Sequence, residues 1–482
     1  MRNMVFPSLP PDRKFVPNSH ILGYGERFCY RHSRAGILGL FETPTVLGGA
    51  GAKATKCVTC FFEESGVLNA KARRYAVFSG PNSSPRCMTP PMSLGKCRPI
   101  LIVLLILAVL DALVAWTAAA TLPGWRETFP DNAHRIRSAS HHHDIAPMRE
   151  IVEAWGPVRY RYASNALGFK DARPRSIDLG RREKRWLLLG VSFTEGIGFD
   201  FATSMAGRIA AGVACHGIEV LNGGVGGYAP SVYWRKARHL IETVGLGVER
   251  VIVFLDISDI KDETDIYFED AKGDLIAPEA ETPSWSVRIG HALRDHSVAA
   301  RLFTLARDRL AYVRKDLIRR HQAAQAFGKG FWQVEAVDLM EFATVPHKAS
   351  RWTYDEAAWA DYGEKGRAKA AANMDELAEL LARHGILLSV VVYPWPDQMF
   401  RDPQAPRHQG FWRDWAARRG AGFVSLFPAF TADPPRVTLA SDFIPGDFHW
   451  NASGHQRAAQ AFLEGYAPEL APCAEAKPAG GP

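Results

Sequence analysis

A hydroxyl, an imidazole and a carboxylate make up the relay of a serine-nucleophile enzyme, and this chain carries all three in two short, well-separated stretches. Ser192 lies in Gly190-Val191-Ser192-Phe193-Thr194-Glu195-Gly196; Asp447 and His449 stand two residues apart in Asp447-Phe448-His449-Trp450. A serine hydroxyl is a weak nucleophile at neutral pH, so an imidazole must take its proton and a carboxylate must orient that imidazole. The serine directly follows the apolar run Trp186–Leu189. A Gly-flanked turn there would expose the hydroxyl at the carboxyl edge of a sheet, where open α/β folds bind ligands. Thr194 occupies the second glycine position of the Gly-x-Ser-x-Gly elbow, so the motif is not that one. Among rival bases, His455 follows Gly454 inside the first turn of a predicted helix, and His384 and His408 have no acidic neighbour placed to orient them.

The elements that must position these groups read as alternating strands and helices from about Met148. Strands are predicted over 184–190, 217–221, 251–255, 386–392 and 423–427. Helices are marked by Phe201, Met205 and Ile209 at i, i+4, i+8, by Pro230 in a first turn, by residues 367–384 ending before Gly385, and by Asn451 as the N-cap of a last helix. This alternation predicts an α/β fold, a three-layer α/β/α sandwich with a parallel sheet. It stops over 263–363, where helical stretches and Phe331, Trp332, Trp352, Tyr354 and Trp359 suggest a cap or side lobe beside the active face. The domain so defined spans 148–470, with a disordered tail over 471–482.

With 482 residues and 47% hydrophobic content the chain can bury a large core. Its net charge of +7 belongs to the front: 14 basic and 5 acidic residues precede Pro99, leaving 44 and 46 for the rest. A basic surface on the folded part is therefore not expected, and neither is nucleic-acid binding. Five of seven cysteines also lie in front; Cys57 and Cys60 have zinc-ligand spacing but no second pair follows them. No metal and no organic cofactor are expected.

Residues 1–91 lack sustained periodicity and read as an unstructured leader, consistent with translation starting at Met92; a peptide from 1–91 in the native protein would defeat that. Lys96 and Arg98 then precede an apolar run over 99–122, a transmembrane signal anchor by length and charge, or else a signal peptide cut near Ala118-Ala119-Ala120. Residues 123–147 read as a linker, and His141-His142-His143-Asp144 within it as a solvated tract.

Four ordered blocks resemble the SGNH/GDSL hydrolase family: the Ser192 segment, Asn222-Gly223-Gly224-Val225-Gly226-Gly227-Tyr228, Asp256-Ile257-Ser258-Asp259, and Asp447-Phe448-His449. The similarity covers roughly 165–466. It implies Ser192 as nucleophile, His449 as base, Asp447 as its orienter, and an oxyanion hole from the amides of Ser192 and Gly227 with a third donor from Ser258. Two departures stand out. Val191 replaces the usual aspartate, and Ser258 replaces the usual asparagine. The Asp-x-His-Trp spacing is similar to that of bacterial polysaccharide O-acetyltransferase relatives. Trp395, Tyr228 and Asp259 are candidates for substrate contact. The expected function is a serine esterase acting on a small acyl ester, such as O-acetyl groups of envelope carbohydrate, from a periplasmic domain on the bacterial inner membrane. An O-acyltransferase and a catalytically silent envelope-binding protein remain alternatives.

Overall fold

The computed structural model describes residues 94–121, 134–155, 158–271, 273–276, 293, 296–466 and 470. The leader 1–91, the Met92 start, the Cys57 and Cys60 pair and the tail 471–482 lie outside the described residues. The chain divides into two units, 31–107 and the remainder. The described part of the first is the amino-terminal portion of the helix Leu94–Thr121. Its apolar stretch Pro99–Thr121 has 23 residues and is the one helix among the described residues long and apolar enough to cross a membrane. At 1.5 Å per residue it measures about 34 Å, against about 30 Å of bilayer hydrocarbon.

The second unit is built on an eight-stranded sheet. In chain order its strands are β3 (Glu150–Trp155), β4 (Val158–Ser164), β5 (Lys170–Asp171), β6 (Arg185–Gly190), β7 (Glu219–Asn222), β8 (Arg250–Leu255), β9 (Leu387–Val392) and β10 (Gly422–Ser425); β1 (Arg135–Ser138) and β2 (His142–Ile145) form a separate antiparallel hairpin. Across the large sheet the order is β10-β9-β8-β6-β7-β5-β4-β3. The five strands from β10 to β7 pair in parallel. β6 is buried along its whole length and β8 at all but its first residue, because helices cover both faces. Met205–Val213 packs with Ala452–Tyr466, and Pro230–Arg238 with Glu364–Arg383. The result is a three-layer α/β/α sandwich.

Two expectations change. The sheet is mixed, since β3, β4 and β5 extend it in antiparallel pairing. The short connection between β3 and β4 permits only that direction, and the two-residue β5 is too short to announce itself in the sequence. The linker expected over 123–147 is, over 135–145, the β1–β2 hairpin, paired from Arg135↔Ile145 to Ser138↔His142. Within 263–363, the described residues include the helix Val298–Phe327 and a turn at Arg351–Thr353, whose fully buried Trp352 donates its indole N–H to the Ile257 carbonyl at 2.9 Å.

From β6 the chain runs to β7 on one side and then crosses back to β8 on the other. The carboxyl end of β6 is thus a topological switch point, where a crevice opens between divergent connections. The turn there requires close approach: a Cβ on Gly190 would sit 2.2 Å from Thr194 Oγ1 and 3.1 Å from Phe254 Cβ. Gly190→Ala should therefore overpack the turn and cost about 1–3 kcal/mol of stability. A thermal melt of the variant checks this, and the Gly190→Ala/Thr194→Ala double variant should recover part of the loss, because the two sites share one contact.

Candidate active site

Ser192 begins the helical turn Ser192–Glu195 immediately after β6. Asp447 and His449 arrive from the loop that precedes the last helix. That loop is pinned by an antiparallel bridge between Phe443 and Trp450, by Ile444 N–H donating to the His449 carbonyl at 2.9 Å, and by Asp447 N–H donating to the Ile444 carbonyl at 2.9 Å. The three side chains form a continuous relay: His449 Nε2 is 2.8 Å from Ser192 Oγ, and His449 Nδ1 is 2.7 Å from Asp447 Oδ1. With Nδ1 donating to an acceptor-only carboxylate, Nε2 is left to accept the serine proton.

The two-residue spacing works because one carboxylate oxygen takes two bonds. Asp447 Oδ1 also accepts the His449 backbone N–H at 3.0 Å, an Asx-type turn that folds the aspartate back on the ring it orients. Its other oxygen, Oδ2, accepts the Trp155 indole N–H at 2.9 Å. Burial pushes the Asp447 carboxyl up. The His449 charge, the hydrogen bonds from its ring and amide and the Trp155 indole outweigh that and hold it below the ordinary carboxylate value. The His449 ring stacks on Phe193 at 4.9 Å and meets the edge of Trp155 at 4.9 Å, so its orientation is fixed on both sides.

The glycine loop after β7 lies alongside the serine, with a Cβ on Gly226 falling 3.6 Å from Ser192 Cβ. Gly227 has φ +82°, a left-handed conformation that favours glycine. Gly226 N–H donates to Glu195 Oε2 at 2.6 Å, and the Gly227 carbonyl accepts the Tyr267 hydroxyl. Among the described residues, no protein acceptor takes the amide of Ser192 or that of Gly227. Both amides are thereby left available to a ligand oxygen, as an oxyanion hole requires. Glu195 is fully buried and anchors the loop; burial raises its carboxyl, but Arg135, with bonds of 2.6 and 3.3 Å, Lys170 and the Gly226 amide hold it lowered.

The other candidates fall elsewhere. Ser258 is half-buried at the start of Asp259–Asp265; its amide donates to Asp256 Oδ1 at 2.8 Å, and among the described residues no hydrogen bond links it to Ser192 or Gly227. Trp395 is not an open platform: Phe448 stacks on its face at 4.2 Å and 11°, and its indole N–H donates to Asp256 Oδ2 at 3.0 Å. Tyr228 is fully buried, its hydroxyl donating to the His143 carbonyl at 2.8 Å. Asp259 is buried beneath the surface and accepts Tyr233 OH at 3.2 Å; burial first, and then the neighbouring Asp256, raise its carboxyl well above the ordinary value. Both are braces out of reach of a substrate. His455 is buried, its Nδ1 accepting the Met205 amide at 3.2 Å.

His141-His142-His143-Asp144 is not a solvated tract. His141, His142 and the carboxylate of Asp144 are largely buried, and Asp144 pairs with Lys236 at 2.8 Å and His141 at 2.8 Å. Sequence reading missed Arg135, His143, Trp155 and Glu195. Glu195 alone carried a signal, as a charged residue inside the nucleophile's own motif.

No protein-family model matches the chain, and no curated protein sequence matches it. Among solved structures it is similar to a putative lipolytic protein of the G-D-S-L family from Desulfitobacterium hafniense (10% identity, 59% of this chain and 99% of that one, TM-score 0.31). It is likewise similar to a psychrotrophic esterase from Pseudoalteromonas sp. (8%, 60% and 98%, TM-score 0.32) and to a catalytic mutant of an acetylxylan esterase from Geobacillus stearothermophilus (12%, 59% and 94%, TM-score 0.30). At such scores the likenesses carry no argument, and the site stands on its own geometry.

Two outcomes follow from that geometry. Trp155→Phe removes a hydrogen bond to a carboxylate, worth about 1.5–3 kcal/mol, and should lower kcat/KM by roughly tenfold or more on a small ester while the fold persists by circular dichroism. Because Asp447 is held below the ordinary carboxylate value of about 4, its protonation should not add a second proton-dependent loss of kcat/KM until the pH falls below that value; a second loss already present above about pH 4 would mean that the carboxylate is not held down.

Proposed function

We propose that this chain is a serine esterase of the SGNH/GDSL type that cleaves small acyl esters. The observation that carries the reading is the unbroken relay from Ser192 Oγ through His449 to Asp447, with spacings of 2.8 and 2.7 Å, at the switch point of the sheet. Ser192 Oγ attacks the ester carbonyl as His449 Nε2 takes its proton. Asp447 stabilises the imidazolium, and the Ser192 and Gly227 amides hold the tetrahedral oxyanion. His449 then returns the proton to the leaving alcohol, and water, activated by the same ring, releases the acyl group.

The substrate class is a short acyl ester, with O-acetyl groups of envelope carbohydrate favoured by the membrane-length helix ahead of the domain and by the motif resemblance. On this reading Pro99–Thr121 is an anchor in a bacterial inner membrane, and the positive residues Lys96 and Arg98 before it put the catalytic body on the periplasmic side. The Asp-x-His-Trp motif favours a second outcome, in which a sugar hydroxyl replaces water and the enzyme transfers the acyl group.

The test is chemical. Full-length protein in detergent should be labelled by a fluorophosphonate and should turn over p-nitrophenyl acetate, and Ser192→Ala should abolish both. Asp447→Asn should lower kcat by roughly 10³–10⁴. An unlabelled, well-folded wild type would overturn the reading. Adding an acceptor oligosaccharide separates the two outcomes: acetate release unchanged supports hydrolysis, and acetylated glycan supports transfer. Membranes washed with alkaline carbonate should retain the protein.

A further inference from the structure

The oxyanion loop has almost no side chains of its own with which to hold its shape. Gly226 and Gly227 are nevertheless pinned at three backbone atoms: Gly226 N–H by Glu195, the Gly227 carbonyl by Tyr267 OH, and the Gly226 carbonyl by His143 Nε2 at 3.1 Å. The third pin matters most. There is no cis peptide in the described residues, and across a trans peptide the carbonyl and the next N–H point in opposite directions. A bond that fixes the Gly226 carbonyl therefore fixes where the Gly227 N–H aims, and that N–H is the proposed oxyanion donor.

The chemistry of the hairpin determines which proton goes where. A carbonyl only accepts, so His143 Nε2 carries the hydrogen. Burial first, and then the neighbouring His142, hold His143 down to about 3, so the ring is neutral and its Nδ1 is a bare acceptor. That Nδ1 lies 2.8 Å from His142 Nδ1, which must then be the donor; burial keeps His142 neutral as well, at about 4. His142 sits at φ +80°, an unfavourable conformation for a residue with a side chain, and its ring meets Tyr267, the neighbouring pin, edge to face at 5.2 Å. Below the hairpin, Asp144 is tied to Lys236 at 2.8 Å and to Tyr228 OH at 3.3 Å.

We propose that His143 is a positioning residue for catalysis, with His142 holding its ring: the hairpin upstream of the sheet sets the direction of the Gly227 oxyanion donor through a His142–His143–Gly226 hydrogen-bond chain. This rests on the esterase reading above. His143 does not touch substrate. It acts by fixing a peptide that must already be aligned when negative charge develops.

The experiment uses the full-length protein, p-nitrophenyl acetate, and a small alkylboronic acid that forms a tetrahedral adduct on Ser192. His143→Phe keeps ring bulk but removes the donor. It should lower kcat by roughly 10–100-fold with KM within about twofold, and weaken the boronate by a similar factor. His143→Gln, which restores an N–H donor, should recover part of both. His142→Ala leaves the His143 donor in place but frees its ring, and should lower kcat by roughly three- to tenfold. Either kcat within twofold of wild type in His143→Phe, or lost turnover with undiminished boronate affinity, overturns the proposal. Should His143→Phe fail to fold, His142→Ala decides in the same way, an unchanged kcat counting against it. Wild type that neither turns over ester nor binds boronate removes the esterase reading itself and this role with it, whereas active wild type with indifferent variants removes only the role of His143.

Discussion

One buried carboxylate organises the site. Glu195 leaves the nucleophile's own helical turn, takes two bonds from Arg135 of the hairpin and accepts the Gly226 amide of the glycine loop. Three segments, 60 and then 31 positions apart along the chain, are thereby held to one point. A buried charge is tolerable only if its partners are correctly placed, so the interaction acts less as a source of stability than as a selector of one arrangement. The Gly226 amide that Glu195 holds belongs to the same loop as the Gly227 amide, and that loop lies beside Ser192.

This bears on the departure at Val191. Val191 is buried in the core and offers the loop no hydrogen bond from its side chain. The loop is ordered by Glu195 and, on its other side, by His143 and Tyr267. The Ser258 amide closes a turn on Asp256, while the Asp256 carboxylate also holds Tyr393 OH at 2.7 Å and the Trp395 indole at 3.0 Å. Asp256 is thus the hub of the wall behind Phe448, and Trp395 belongs to that wall.

What was legible in the sequence follows from how far each signal extends along the chain. The serine, the histidine and the aspartate announce themselves because their neighbours are glycines and apolar runs, and β6, β8 and β9 do so because burial on both faces makes them almost continuously apolar. The hairpin did not. Its strands are four residues each, its consecutive histidines look solvated, and their burial depends on Tyr228, Lys236 and Tyr267, which lie more than eighty positions away. Trp395 is hard to read for the same reason: a tryptophan in a loop after a strand looks available until Phe448 from a distant loop is seen lying on it. Local pattern shows the type of an element, and long-range contact shows which face is left open.

Chain length also bounds the distance between the apolar helix and the hairpin. Only twelve residues, 122–133, separate the end of the apolar helix at Thr121 from His134, and thirteen peptide steps span at most about 45 Å when fully stretched. On the proposed seating of that helix in a bilayer, Ser192 can lie no farther from the lipid than that reach plus the depth of the folded body itself. If both proposals hold, ester groups beyond that distance would be out of range whatever their chemistry, so geometry would ration substrates by their height above the membrane.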